Sequence, residues 1–215
     1  MRYKIIIILG ILTLFCLPVC ATTNIIYVSP GYQFIHQGET FNVLISCIPV
    51  EPVKSYEFKL LYDPDILTAN SVMEGDFFSG YTTFFQPGII GNGTIINIYD
   101  LIIGQGNVTT PGAFVIISFT AKNITGVSPI LLYNPGITNE TQYLPLSAIN
   151  GGVQVYGDRY PWDINGDNQT NYQDISSLVS HYYDSFTPGE YPWDVVIDGT
   201  VNYLDISAVV NHYGQ

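Results

Sequence analysis

Tyr56-Glu57-Phe58-Lys59-Leu60-Leu61-Tyr62-Asp63-Pro64-Asp65-Ile66-Leu67 decides the fold class of this chain. Tyr56, Phe58, Leu60 and Tyr62 share one parity, and Ser55, Glu57, Lys59 and Leu61 the other. Apolar residues at every second position put one face of an extended strand into a core and leave the other in water; a helix would repeat at about 3.6. Asp63-Pro64 then ends the run, because proline has no N–H to give to a ladder. The same alternation appears upstream, where Phe41, Val43, Ile45 and Cys47 alternate with Asn42, Leu44, Ser46 and Ile48. Downstream, Ala113, Val115, Ile117, Phe119 and Ala121 share one parity. Between such runs stand turn signals: Pro30-Gly31, Pro87-Gly88, Gly91-Asn92-Gly93, Pro111-Gly112, Pro135-Gly136 and Gly151-Gly152. About nine short strands over residues 22–157, with no amphipathic helix, predict a β-sandwich.

Further segments sharpen the reading. Val28-Ser29-Pro30 is followed by Gly38-Glu39-Thr40-Phe41-Asn42-Val43, by the opening stretch, by Val72-Met73-Glu74-Gly75-Asp76-Phe77-Phe78, and by Gly112 to Ala121. In this order and spacing they resemble the cohesin domain, a nine-stranded jelly-roll sandwich. The resemblance covers residues 24–156 and implies a sheet face that receives a dockerin. Carbohydrate-binding modules share this sandwich superfamily, and one carried by a dockerin is the alternative reading. Both tryptophans, Trp162 and Trp193, lie outside the sandwich, which disfavours sugar stacking there.

Catalytic constellations are missing from residues 22–157. His36 stands alone and reads as a strand-edge residue. Asp63 and Asp65 flank a proline and read as turn caps. Glu74 and Asp76 lack an evident acidic partner at a second strand end, as glycoside hydrolysis would require. Cys47 shares the core parity of its strand and reads as a buried thiol. The chain is therefore expected not to be an enzyme.

A second module, residues 158–215, contains a duplication. Tyr160-Pro161-Trp162-Asp163 recurs as Tyr191-Pro192-Trp193-Asp194, and 13 of 24 positions are identical between 160–183 and 191–214. Counted from the first Asp of each unit, Asp163, Asn165, Asp167, Gln169, Asn171 and Asp174 fill positions 1, 3, 5, 7, 9 and 12. In the second unit Asp194, Asp198, Thr200, Asn202 and Asp205 fill 1, 5, 7, 9 and 12. These are the oxygen-donor places of a calcium loop, and calcium takes 6–8 oxygens with little angular demand. Asn168 and Gly199 stand at position 6, where the chain must turn through a left-handed conformation. Val196 at position 3 has no ligating atom, so two Ca²⁺ sites are expected, the second weaker. Each loop runs into a helical pattern: Ile175, Leu178, Val179 and Tyr182, and then Ile206, Val209, Val210 and Tyr213. His181 and His212 are equivalent by repeat and read as helix-packing or surface residues.

This module resembles the type I dockerin over residues 160–214. The resemblance implies calcium-dependent folding and binding to a cohesin-bearing protein. The partner contacts it implies are Tyr172, Gln173, Val179 and Ser180, and in the second repeat Tyr203, Leu204, Val210 and Asn211. Aromatics stand at places where many relatives carry hydroxyls or a basic pair, so partner identity does not carry over.

Composition bounds the partners. The chain carries 18 acidic against 6 basic residues, a net charge of −12. So few cations cannot neutralise a phosphate backbone, which excludes nucleic acid. Arg2 and Lys4 precede an apolar run from Ile5 to Cys20 that ends in small residues, which predicts a secretion signal over residues 1–21. Removing it leaves Cys47 alone and so no internal disulfide. Five N-x-S/T sequons, at Asn92, Asn107, Asn123, Asn139 and Asn168, fit exposed loops of a secreted chain. Both modules are acidic, so head-to-tail pairing between copies is disfavoured and a monomer is expected. The expected protein is a secreted, non-catalytic adaptor, mostly β, receiving a dockerin-bearing protein at one end and engaging a cohesin-bearing protein at the other. Polysaccharide is a further candidate ligand.

Overall fold

A computed structural model describes residues 23–215, so the expected signal segment lies outside the described residues. The strands are β1 (Asn24–Ser29), β2 (Tyr32–His36), β3 (Thr40–Ile48), β4 (Ser55–Leu61), β5 (Leu67–Glu74) and β6 (Ile89–Ile90). They continue with β7 (Thr94–Leu101), β8 (Gly112–Ala121), β9 (Gly126–Thr138), β10 (Leu146–Ile149) and β11 (Gly151–Tyr156), and two helices follow, α1 (Tyr172–Val179) and α2 (Tyr203–Asn211).

Eleven strands stand where about nine were expected, because the first and last runs each divide between the two sheets. One sheet has the order β10-β1-β3-β8-β5 and the other β2-β11-β9-β4-β7-β6. β1 pairs with β10 and β2 with β11 in parallel; the remaining pairs are antiparallel. At the crossing between sheets Gly151 has no room for a side chain, since a Cβ would stand 2.6 Å from Val28 Cγ1 and 2.9 Å from the Gly31 carbonyl.

The parity read from β4 holds. Tyr56, Phe58, Leu60 and Tyr62 are buried between the sheets, while Glu57 and Lys59 face outward. Phe114 of β8 closes the core from the opposite sheet. Its ring stacks on Tyr56 at 4.0 Å between centroids and is met edge-on by Phe77 at 4.7 Å. The Tyr56 hydroxyl donates to the Phe114 carbonyl at 2.8 Å, so the polar atoms of this aromatic cluster are satisfied. Cys47 is fully buried, and burial pushes its thiol up to about 12, which keeps it an inert core residue.

Residues 160–215 form a smaller unit with its own apolar cluster: Trp162, Ile164, Leu178, Val195, Val196, Val201, Ala208 and Val209. The helical stripes are narrower than their spacing predicts. α1 ends at Val179, so Tyr182 lies beyond it, and Val179 and Val210 are exposed. Leu178 from α1 and Ala208 with Val209 from α2 suffice because the loops themselves supply Ile164, Val195, Val196 and Val201 to the core.

Candidate functional site

The loops are built by their own backbones. Asn168 (φ 61°) and Gly199 (φ 83°) take the left-handed conformation at position 6. In the first loop Asp163 Oδ1 accepts from the N–H groups of Gly166 and Asp167, and Oδ2 from that of Asn168. Asp174 accepts from Ile164 and Asn165 through Oδ1 and from Asn171 through Oδ2. The second loop repeats the scheme: Asp194 accepts from Asp198 and Gly199, and Asp205 from Val196 and Asn202.

Positions 9 and 12 carry a second task that ligand spacing alone does not reveal. Asn171 and Asn202 are the N-caps of α1 and α2, and with Asp174 and Asp205 they form capping boxes. The Asn side-chain oxygens are thereby committed to Gln173 and Leu204 N–H groups, so position 9 is placed to ligate through water.

Four of these carboxylates, Asp163, Asp174, Asp194 and Asp205, are buried, and among the described residues none of them is paired with a cationic side chain. Arg159, the module's basic residue, donates to the carbonyls of Asp163 and Ile164 instead. Burial pushes the Asp205 carboxyl up, against the N–H groups of Asn202 and Val196, and the charges of Asp198 and Asp194 add to the rise. Among the described residues no three His, Cys, Asp or Glu side chains converge on one point. A hard cation here would complete its shell from Asn165, the position-7 carbonyls and water. That all-oxygen, uncompensated donor set fits calcium in chemistry. Val196 lies in the apolar cluster and offers no donor, whereas Asn165 is exposed beside Asp167, its Nδ2 3.0 Å from Asp167 Oδ2. Asp163→Ala is accordingly expected to lower calcium affinity more than Asp194→Ala, and calorimetry returning two equal sites would remove Val196 as the cause of asymmetry.

The two repeats interlock crosswise through their duplicated aromatics. Trp162 of the first stacks on His212 of the second (3.5 Å), and Trp193 of the second on His181 of the first (3.7 Å). Tyr160 and Tyr191 cover the neighbouring indoles at 5.3 and 4.9 Å. The first stack seats the module on the sandwich: Phe34 of β2 meets Trp162 edge-on at 5.7 Å, and Tyr156 at 5.6 Å. Tyr32 donates to Gln154 at 2.7 Å under this cover, and its hydroxyl is pushed up by burial first and then by Asp194, Asp198 and Asp205. The outer face of β2 and β11 is therefore the seam between the units.

The rest of that sheet's outer face, over β9, β4, β7 and β6, stays open. Its exposed residues include Tyr133 (50% exposed), Phe84, Ile89, Ile96 and Leu101, with Tyr99 half-buried beside Phe84. Two bulges, marked by Asn97 (φ 60°) and Asn134 (φ 47°), flank Lys59 on either side of β4. The opposite sheet presents a hydroxyl and amide ladder of Thr40, Asn42, Thr68, Asn70, Ser118 and Thr120 over part of its outer face, with aliphatic groups, Ile48, Met73 and Ile149, exposed elsewhere on it. Tyr133, Phe84 and Tyr99 give the first of these faces the aromatic make-up of a protein-binding surface.

The cohesin-domain family model matches residues 33–155, more than half of the chain. The chain belongs to the cohesin family. Among solved structures, a non-cellulosomal cohesin from the hyperthermophilic archaeon Archaeoglobus fulgidus shares 18% identity and superposes with a TM-score of 0.50, over 62% of this chain and 91% of its own. The sixth cohesin of scaffoldin B from Acetivibrio cellulolyticus, solved in complex with a Cel5 dockerin mutant, shares 16% identity at a TM-score of 0.52, over 63% of this chain and 100% of its own. A type I cohesin–dockerin complex from Clostridium thermocellum gives 13% identity and 0.51, over 63% and 94%. No curated protein matches the chain. These likenesses establish the cohesin sandwich, and the family match stops at residue 155, before the duplicated loops. Cohesins are non-catalytic domains that mediate cohesin–dockerin interaction.

One acidic pair escaped the sequence reading. Glu74 was read beside Asp76, but Asp76 accepts from the Ala113 N–H at 2.7 Å, and the partner of Glu74 is Asp100 of β7, 1% exposed. Burial, then the Glu74 charge, pushes the Asp100 carboxyl up to about 7, with the Leu101 N–H opposing. A raised carboxyl holds its proton in the folded state over a window where the unfolded chain has lost it. Stability should therefore fall as pH climbs from about 4 to about 7, by roughly 1–2 kcal/mol. Asp100→Asn should flatten that segment in denaturant titrations; an unchanged slope would separate the pair.

Proposed function

We propose that this chain is a secreted, non-catalytic adaptor with two interaction ends. The sandwich receives a dockerin-bearing protein on the open face of β9, β4, β7 and β6. The C-terminal module is a dockerin-like unit that folds around two calcium ions and engages a cohesin-bearing protein. The observation that carries the first half is the cluster of exposed aromatics on this face, Tyr133 and Phe84 with Tyr99 beside them, where the exposed apolar groups of the other sheet, Ile48, Met73 and Ile149, are aliphatic. For the second half the support is the pair of capped oxygen-rich loops. The contacts read from the sequence also lie open, with Tyr172 70% and Tyr203 66% exposed, and Val179, Val210 and Leu204 beside them. Gln173, Ser180 and Asn211 complete that surface and are likewise exposed.

The seam bears on self-pairing. It holds the module over β2 and β11 of its own sandwich, which leaves both proposed partner surfaces free for foreign partners. Extracellular use in polysaccharide degradation accords with this design.

Calorimetry of the full chain against a panel of dockerin modules from secreted proteins tests the first half. Tyr99→Ala with Tyr133→Ala should weaken the best binder at least about a hundredfold, as loss of two central aromatics does at protein interfaces. Undiminished binding by a folded double variant would move the site to another face. For the second half, Tyr172→Ala with Tyr203→Ala should abolish calcium-dependent capture of a cohesin panel.

A further inference from the structure

The duplicated aromatic stacks differ in what meets them. In Tyr160–Trp162–His212 the sandwich buries the middle ring, Trp162 being 3% exposed, while Tyr160 stays exposed. Tyr191–Trp193–His181 has the same members and the same near-parallel order, with Tyr191 as exposed as Tyr160, yet its Trp193 is only half-buried. Phe186 packs on Tyr191, and among the described residues no aromatic side chain takes the place that Phe34 holds against Trp162.

We propose that the Trp193 stack is a second docking site, which takes an exposed aromatic residue from an edge strand of a partner protein. The first stack shows the geometry. Phe34 meets Trp162 at an interplanar angle of 87°, so the positive edge of one ring lies against the negative face of the other. In the second stack the indole has its two faces against His181 and Tyr191, and what remains open is the part of its rim away from Nε1, which is buried without a hydrogen-bond partner. A sugar needs an open aromatic face, so the rim selects an aromatic side chain instead. Asp184 and Glu190 line the surrounding cleft with His181, Phe186 and Tyr191, and no Lys or Arg does. The incoming strand is therefore neutral or basic. This site is separate from the exposed helix residues of the proposed cohesin-binding surface.

The probe is a peptide of residues 31–37, Gly-Tyr-Gln-Phe-Ile-His-Gln, which carries the strand that fills the first stack. Added to the full chain in calcium, it should shift the Trp193 indole N–H resonance and leave that of Trp162 in place. The same peptide with Phe34→Ala should bind at least about tenfold more weakly. Trp193→Ala in the protein should remove binding. Tyr191→Ala keeps the Trp193 reporter and should weaken binding if Trp193→Ala does not fold. A peptide that moves neither resonance, or only that of Trp162, overturns the proposal. Concentration-dependent dimers of the chain that vanish in Trp193→Ala would also overturn it, assigning the stack to a second copy.

Discussion

Chelating calcium from the full-length chain is expected to red-shift and quench its tryptophan emission, because both tryptophans belong to the C-terminal module. Four buried carboxylates without cationic partners, joined by Asp167 and Asp198 at the loop surface, make the metal-free module self-repelling. Its apolar cluster is small, and its helices have 8 and 9 residues, too short to persist alone. Calcium held a thousandfold above its dissociation constant would add about 4 kcal/mol per site. The sandwich has a core of its own and should keep its sheet signal in circular dichroism. Loss of the module should also bare Phe34 and Tyr156, so dye binding to apolar surface should rise with chelation. Tryptophan emission unchanged by chelator in metal-free protein would refute calcium as the organiser of this unit.

Phe114→Ala should destabilise the sandwich by about 3–5 kcal/mol, a large share of a domain's total stability. Phe114 is buried against Tyr56 and Phe77, with Phe78 stacked on Tyr56 behind them, and β8 lies between β3 and β5 with no freedom to collapse into the space. Tyr56→Phe is the smaller, complementary change. It keeps the ring stack and removes one of two donors to the Phe114 carbonyl, which still accepts from the Gly75 N–H at 2.8 Å, so the cost is that of one hydrogen bond, about 0.5–1.5 kcal/mol. Urea unfolding followed by far-ultraviolet circular dichroism measures both. A Phe114→Ala loss below that of Tyr56→Phe would mean that the hydrogen bond, and not the packing, holds the sheets together at this point.

The turns of the two duplicated loops were legible because they are a local property. Asp163 to Asp174 and Asp194 to Asp205 are contiguous, and the backbone N–H groups that hold Asp163 and Asp174 come from the same loop. Strand parity in β4 was legible for the same reason, since alternation reports burial directly. Two features resisted: the pairing of Asp100 with Glu74, which joins strands of different sheets, and the early end of α1 at Val179. The second is a tertiary override, in which loop residues Val195, Val196 and Val201 fill the core that Tyr182 was expected to fill.

By itself the sequence determined the sandwich class, the left-handed turns at Asn168 and Gly199 and the buried character of Cys47. Each of these follows from periodicity or from the conformational range of one residue type. Only the tertiary structure decided that the first and last strands cross between sheets, which of the two sheet faces carries Tyr99 and Tyr133, and that Trp162 is spent on the seam while Trp193 stays half-buried. The two tryptophans sit in identical Tyr-Pro-Trp-Asp contexts, so no local signal separates them. Their fates diverge because Phe34, more than a hundred residues earlier in the chain, reaches one and not the other, and such contacts are set by packing over the whole molecule.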